Sequence, residues 1–100
     1  MGTRISKELN MAIELVFTGQ GVSAAQYEQV LNEVCPGDVM PDGMLYHVAA
    51  PTEDGWMVVE VWESQEKVDR FFQEKLGQAL QKANINIQPK ILQVHKLLKR

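Results

Sequence analysis

Residues 11–17, "MAIELVF", put Met11, Ile13, Leu15 and Phe17 on one side of an extended chain and Ala12, Glu14 and Val16 on the other. That period of two predicts a strand, and "TGQG" directly after it predicts its end. Ser23 then opens a helix. Its hydroxyl is placed to cap the first turn, and Gln26, three residues on, completes a capping box. Tyr27, Val30, Leu31 and Val34 fall at i, i+3, i+4 and i+7 and make one apolar stripe. Pro36 and Gly37 end this helix, and "CPGDVMPDG" continues as a loop.

Residues 44–50, "MLYHVAA", and 56–62, "WMVVEVW", are rich in β-branched and aromatic side chains. "PTEDG" between them supplies turn chemistry: Pro51 presets its φ and Gly55 is free to take a positive one. A hairpin is predicted. Ser64 caps a second helix, with Glu63 and Glu66 beside its positive end. Its stripe runs through Val68, Phe71, Phe72, Leu76, Ala79, Leu80 and Ala83, with Gly77 as a point of loosening or breakage. "KILQVHKLL", residues 90–98, alternates again and reads as a last strand, with Pro89 at its beginning.

The order strand, helix, strand, strand, helix, strand predicts an α+β chain of ferredoxin-like β-α-β-β-α-β type. Its antiparallel sheet carries both helices on one face. Residues 1–10 are polar and mixed in charge and read as an N-terminal tail, leaving 11–100 as one domain. The other sheet face should then be polar, yet Met57, Val59 and Val61 occupy one side of the third strand while Trp56, Val58 and Trp62 occupy the other. Leu92, Val94 and Leu98 oppose Ile91 and Leu97 in the last strand. With no chain left to cover a second apolar face, a second copy is expected to do so, making a homodimer.

Composition narrows the function classes. One hundred residues with 45% hydrophobic content suit a single globular core. The net charge of −3 and the lack of a basic stripe argue against nucleic-acid binding. No apolar run approaches the roughly 18 residues of a membrane span, and a signal-peptide core is missing. The lone Cys35 cannot form an intramolecular disulfide, which fits a reducing cytoplasm. It also has no nearby basic group in the sequence to activate its thiol. His47 and His95 lack companions at ligand spacing, so no metal site is predicted. "GQG" at 19–21 lacks the rest of a phosphate-loop fingerprint.

The remaining chemistry gathers on the hairpin. Trp56, Glu60 and Trp62 share parity and hence a face. Both tryptophans are either large core residues or an aromatic pocket wall, joined in the second case by Phe71 and Phe72 from the helix. Glu60, between apolar neighbours, needs a partner, a solvated strand end or a wet cavity where it would act as a proton acceptor. His47 is a candidate general base, with a hydrogen-bonded structural role as the alternative. Its face depends on the turn. A five-residue loop pairs Ala50 with Trp56 and turns His47 away from Trp62; a four-residue loop puts the two on one face. His95 reads as structural.

The stretch "EVWESQEKVDRFF", residues 60–72, with "GMLYHV", residues 43–48, resembles the dimeric α+β barrel superfamily, and in it the antibiotic-biosynthesis-monooxygenase-like branch. The resemblance spans about Met11 to Leu98. It implies a homodimer with sheets packed face to face and a pocket between each sheet and its own helices. Some relatives oxygenate polyphenolic substrates there without a cofactor, others bind and degrade haem, and many have no assigned activity. Trp62 matches the strand-end tryptophan of the polyketide-oxygenating relatives, whereas their asparagine falls on Val58 and their helix tyrosine near Val68. The haem degraders' helix tryptophan and histidine fall near Phe71 and Gln81, and their first-strand asparagine near Glu14, so haem is not the expected ligand.

The resulting expectation is a cytoplasmic, cofactor-free dimer. His47 and Glu60 would be catalytic and Trp62, Trp56, Phe71 and Phe72 would hold a small aromatic molecule. The reaction would be a monooxygenation of a phenolic or polyketide-like molecule. A non-catalytic ligand-binding or stress-related protein is the alternative.

Overall fold

The computed structural model describes residues 12–100. The expected tail over residues 1–10, and Met11 of the first predicted strand, lie outside the described residues. Strand β1 (Ile13–Gln20) is followed by helix α1 (Ala24–Val34), a short 3-10 turn (Pro36–Asp38), and the hairpin strands β2 (Met44–Thr52) and β3 (Gly55–Trp62). Helix α2 (Gln65–Phe71) runs through a π-helical turn (Phe72–Leu76) into α3 (Gly77–Lys82), and β4 (Lys90–Gln93) closes the chain's regular structure. The strands pair antiparallel in the order β2-β3-β1-β4. Each helical crossover thus skips over one strand, as the ferredoxin-like arrangement requires.

The alternation read from residues 13–17 holds: Leu15 and Phe17 are buried against the helices. "TGQG", however, does not end the strand. Thr18, Gly19 and Gln20 go on pairing with Met57, Trp56 and Gly55, because the neighbouring strand satisfies their backbone groups whatever their turn propensity. Helix α1 begins as expected, with the Ser23 side chain accepting from Gln26 N–H and the Gln26 side chain accepting from Ser23 N–H.

In the hairpin, Pro51 pairs with Trp56 and Thr52 with Gly55, so the turn itself is only residues 53 and 54. Gly55 does not take a positive φ. What demands glycine there is space: a Cβ would run into the Gly19 carbonyl oxygen of β1. This close approach lets Gly21 N–H reach the Asp54 carbonyl at 2.7 Å and ties the hairpin tip to the end of β1.

Gly77 does not break the second helix. It keeps right-handed helical angles and donates its N–H to the Phe72 carbonyl, five residues back. The wider turn brings Phe71 and Leu76 to the same side, and both are buried. With Leu15, Trp62 and Val68, they form one core between sheet and helices. Complete burial of a side chain of that size contributes about 1.5–3 kcal/mol.

Two expectations about the chain's end need correction. The last strand stops at Gln93, with one further bond from Val94 N–H to the Ala12 carbonyl at 2.9 Å. Residues 94–100 leave β4 at one edge of the sheet, and Lys99 Nζ lies 5.7 Å from the ring centroid of Tyr46 on β2 at the other edge. The chain therefore does have a segment left that reaches across the second face, and His95 is an exposed residue outside the strand. Much of that face remains apolar and open: Val48 is 61% exposed, Leu92 43% and Met57 39%.

Candidate active site

Strand register creates the central contact. His47 lies directly opposite Glu60 across the hairpin, and directly opposed side chains share a face with Cβ atoms about 5 Å apart. His47 therefore stands on the same face as Trp56, Glu60 and Trp62, turned toward the helices. Its Nδ1 is 2.8 Å from Glu60 Oε2. Trp62, two residues along the strand from Glu60, donates its indole N–H to Glu60 Oε1 at 2.9 Å. Both carboxylate oxygens are thus engaged, which is what a carboxylate only 5% exposed requires.

The other imidazole nitrogen meets a residue from a different element. Tyr27, on the stripe of α1, places its hydroxyl 2.7 Å from His47 Nε2. In the tautomer whose Nδ1 donates to Glu60, Nε2 is left to accept from the phenol. Tyr27 is held as a phenol. Burial, followed by the negative charges of Glu28 and Glu60, of Cys35 once its thiol has ionised at high pH, and of Asp38, pushes its pKa up to about 12. The Cys35 thiol is also pushed up, first by burial and then by Glu60, and Lys75 does not outweigh them. It is a protonated wall group.

These groups border an apolar cavity of about 70 Å³ between the sheet and the helices. Tyr27, His47, Trp56, Glu60 and Phe71 line it, among aliphatic side chains that include Val58, Leu76 and Leu80. The Tyr27 ring stacks on Trp56, centroids 5.2 Å apart and planes 28° off parallel. The Trp56 indole N–H is buried without a hydrogen-bond partner among the described residues.

The structure separates the predicted aromatic residues. Trp56 and Phe71 reach the cavity. Trp62 is fully buried behind it, holding Glu60 and packing on Phe71 with centroids 5.0 Å apart. Phe72 is stacked beside Phe17 at 6.3 Å and does not border the cavity. The sequence reading missed Tyr27 as a site residue, placing it only on an apolar stripe. The available signal was a phenol on the sheet-facing side of a helix, over a sheet carrying a histidine. Ile85 and Ile87 were missed because they stand in irregular chain with no periodicity.

Among the described residues no three His, Cys, Asp or Glu side chains are grouped to hold a metal ion, and no helix is long and apolar enough to cross a membrane.

Several solved structures share this architecture. SnoaB, a cofactor-independent oxygenase from Streptomyces nogalater, superposes in a mutant form with a TM-score of 0.65 and 13% identity, covering 90% of this chain and 99% of that one. A putative antibiotic biosynthesis monooxygenase from Chloroflexus aurantiacus gives 0.63 and 17%, covering 88% and 97%. Another, from Deinococcus radiodurans, gives 0.62 and 16%, covering 90% and 98%. No protein-family sequence model and no curated protein sequence matches the chain. The chain has the α+β fold of the antibiotic-biosynthesis-monooxygenase-like proteins.

Proposed function

We propose that this protein is a cofactor-independent monooxygenase acting on a planar phenolic or polyketide-like small molecule. The observation that carries the reading is the imidazole of His47, oriented by Glu60 through Nδ1 and presenting Nε2 to a phenol oxygen at the wall of an apolar cavity. An orienting carboxylate fixes the tautomer and steadies the imidazolium that forms when Nε2 takes a proton. The fold shared with an oxygenase of this kind supports the same reading.

In this reaction a substrate hydroxyl takes the place of the Tyr27 hydroxyl and gives its proton to Nε2. The charge spreads onto a ring carbon, the one that forms a CH2 group in the keto tautomer. That carbon bonds to dioxygen, which is reduced to a peroxide anion and recovers the proton from His47. Loss of water leaves a carbonyl. The sum is CH2 + O2 → C=O + H2O, with all electrons supplied by the substrate. Glu60 has both oxygens occupied and serves as the positioning residue for His47, while Trp56 and Phe71 hold the ring.

A second reading is a ligand-binding protein without turnover. It is favoured by the completeness of the Tyr27–His47–Glu60–Trp62 network, which needs no ligand to satisfy it. Oxygen uptake and incorporation of labelled dioxygen, measured with a panel of hydroxylated anthrone-like and naphthol-like molecules, separate the two. Turnover is expected in the native chain and should fall by about 100-fold or more in His47→Gln, with ligand affinity changed less than tenfold. Binding without oxygen uptake would leave the second reading standing.

A further inference from the structure

His47 has a second neighbourhood. Together with Leu31 and Cys35 it lines both the inner cavity and a separate surface groove of about 380 Å³. Beyond these shared residues the groove is formed by Met40, Met44, Leu45 and Tyr46, and Asp38 is its acidic side chain. The inner cavity, at about 70 Å³, is small beside the roughly 300–1,000 Å³ of ordinary ligand pockets. A molecule whose hydroxyl reaches Nε2 therefore has limited room in the inner cavity, while the groove that His47 also lines has about five times that volume.

We infer that the groove is a second subsite, and that the ligand is an elongated phenol: a ring engaged at His47, with an uncharged apolar extension lying along Met40, Met44 and Leu45. The inference rests on the reading that His47 Nε2 receives a phenol. Three observations point to this chemistry. Leu31, Cys35 and His47 line both spaces, so the candidate base borders each of them. Two methionines, a leucine and the ring of Tyr46 give an adaptable, polarisable and largely apolar lining, and Met40 stays 43% exposed on a loop. Asp38, the carboxylate of the groove, disfavours an anionic tail.

The test compares three probes by calorimetric titration: a naphthol, the same naphthol with a butyl tail, and the same with a carboxypropyl tail. In the native protein the butyl tail should tighten binding by about tenfold or more, as partial burial of a few methylenes provides. The carboxylated tail should give little gain. Met40→Asp should bring the ratio of butyl to parent affinity down to about one, and Asp38→Asn should raise affinity for the carboxylated probe selectively. His47→Gln should weaken parent and tailed probes alike. If the parent binds in a His47-dependent way but the ratio stays near one, or survives Met40→Asp, the second subsite is overturned and the His47 reading stands. If no probe binds, or His47→Gln is without effect, the reading itself fails and takes the subsite with it.

Discussion

Tyr27 and Glu60 face one another across a single imidazole, and each is costly to bury alone. A carboxylate removed from water needs its lone pairs filled, and here Trp62 and His47 fill them. A buried phenol needs an acceptor, and Nε2 supplies it. The same burial and the surrounding negative charge raise the Tyr27 pKa from 10.0 to about 12. Between these values the folded chain keeps a proton that the unfolded chain has lost, so stability falls as pH rises through that window and is fully retained below it. Tyr27→Phe should therefore lose less stability than the native chain between pH 10 and pH 12, as measured by denaturant unfolding at a series of pH values. Parallel losses in the two chains would show that Tyr27 is not the group responsible.

The hairpin is the element that makes the site, because its register decides which side chains meet. One residue more or less in the turn would rotate every β2 side chain to the other face, and His47 would leave Glu60. Two features hold the register: the Gly55 contact with β1, and the bulge at Leu45 between the Met44 and Tyr46 pairings. Gly55→Ala would force a methyl group into the Gly19 carbonyl, and backbone cannot yield as a flexible side chain does. The expected loss is about 1–3 kcal/mol in denaturant unfolding, together with a weakening of any phenol binding at His47. Unchanged stability would mean that β1 and the hairpin tip are not held this close. The π-helical turn has a comparable role on the opposite wall, since it aligns Phe71 with Leu76 over the sheet.

At the scale of the molecule, the helix-bearing face is a core that encloses the small cavity and the other face is a partly strapped apolar surface. The segment after β4 brings Lys99 over Tyr46, but Val48, Met57 and Leu92 remain open. An apolar sheet face of this kind is best removed from water by a second copy related by twofold symmetry. Sedimentation at micromolar concentration is expected to report about twice the 11.3 kDa chain mass. Val48→Asp, on the exposed part of β2, should give a folded chain of single mass. A native protein that sediments as a monomer would sink this expectation.

The elements were legible in the sequence because they depend on neighbours along the chain. Alternation placed β1 to within a few residues, the Ser23 and Gln26 capping box fixed the start of α1, and Ser64 marked the start of α2. Parity alone put Trp56, Glu60 and Trp62 on one face. Other features depend on neighbours in space and were not legible. Thr18 to Gln20 belong to a strand because β3 pairs with them, and β4 ends early because β1 pairs with only four of its residues. The face of His47 was left open by the sequence, since a loop of four residues and one of five have similar composition but opposite outcomes. Tyr27 carried no sign of its role until α1 was laid over the hairpin. Sequence periodicity determined the layers of this protein; only the tertiary register, fixed by a glycine against a backbone and an edge bulge, decided that a tyrosine, a histidine, a glutamate and a tryptophan would form one hydrogen-bonded chain.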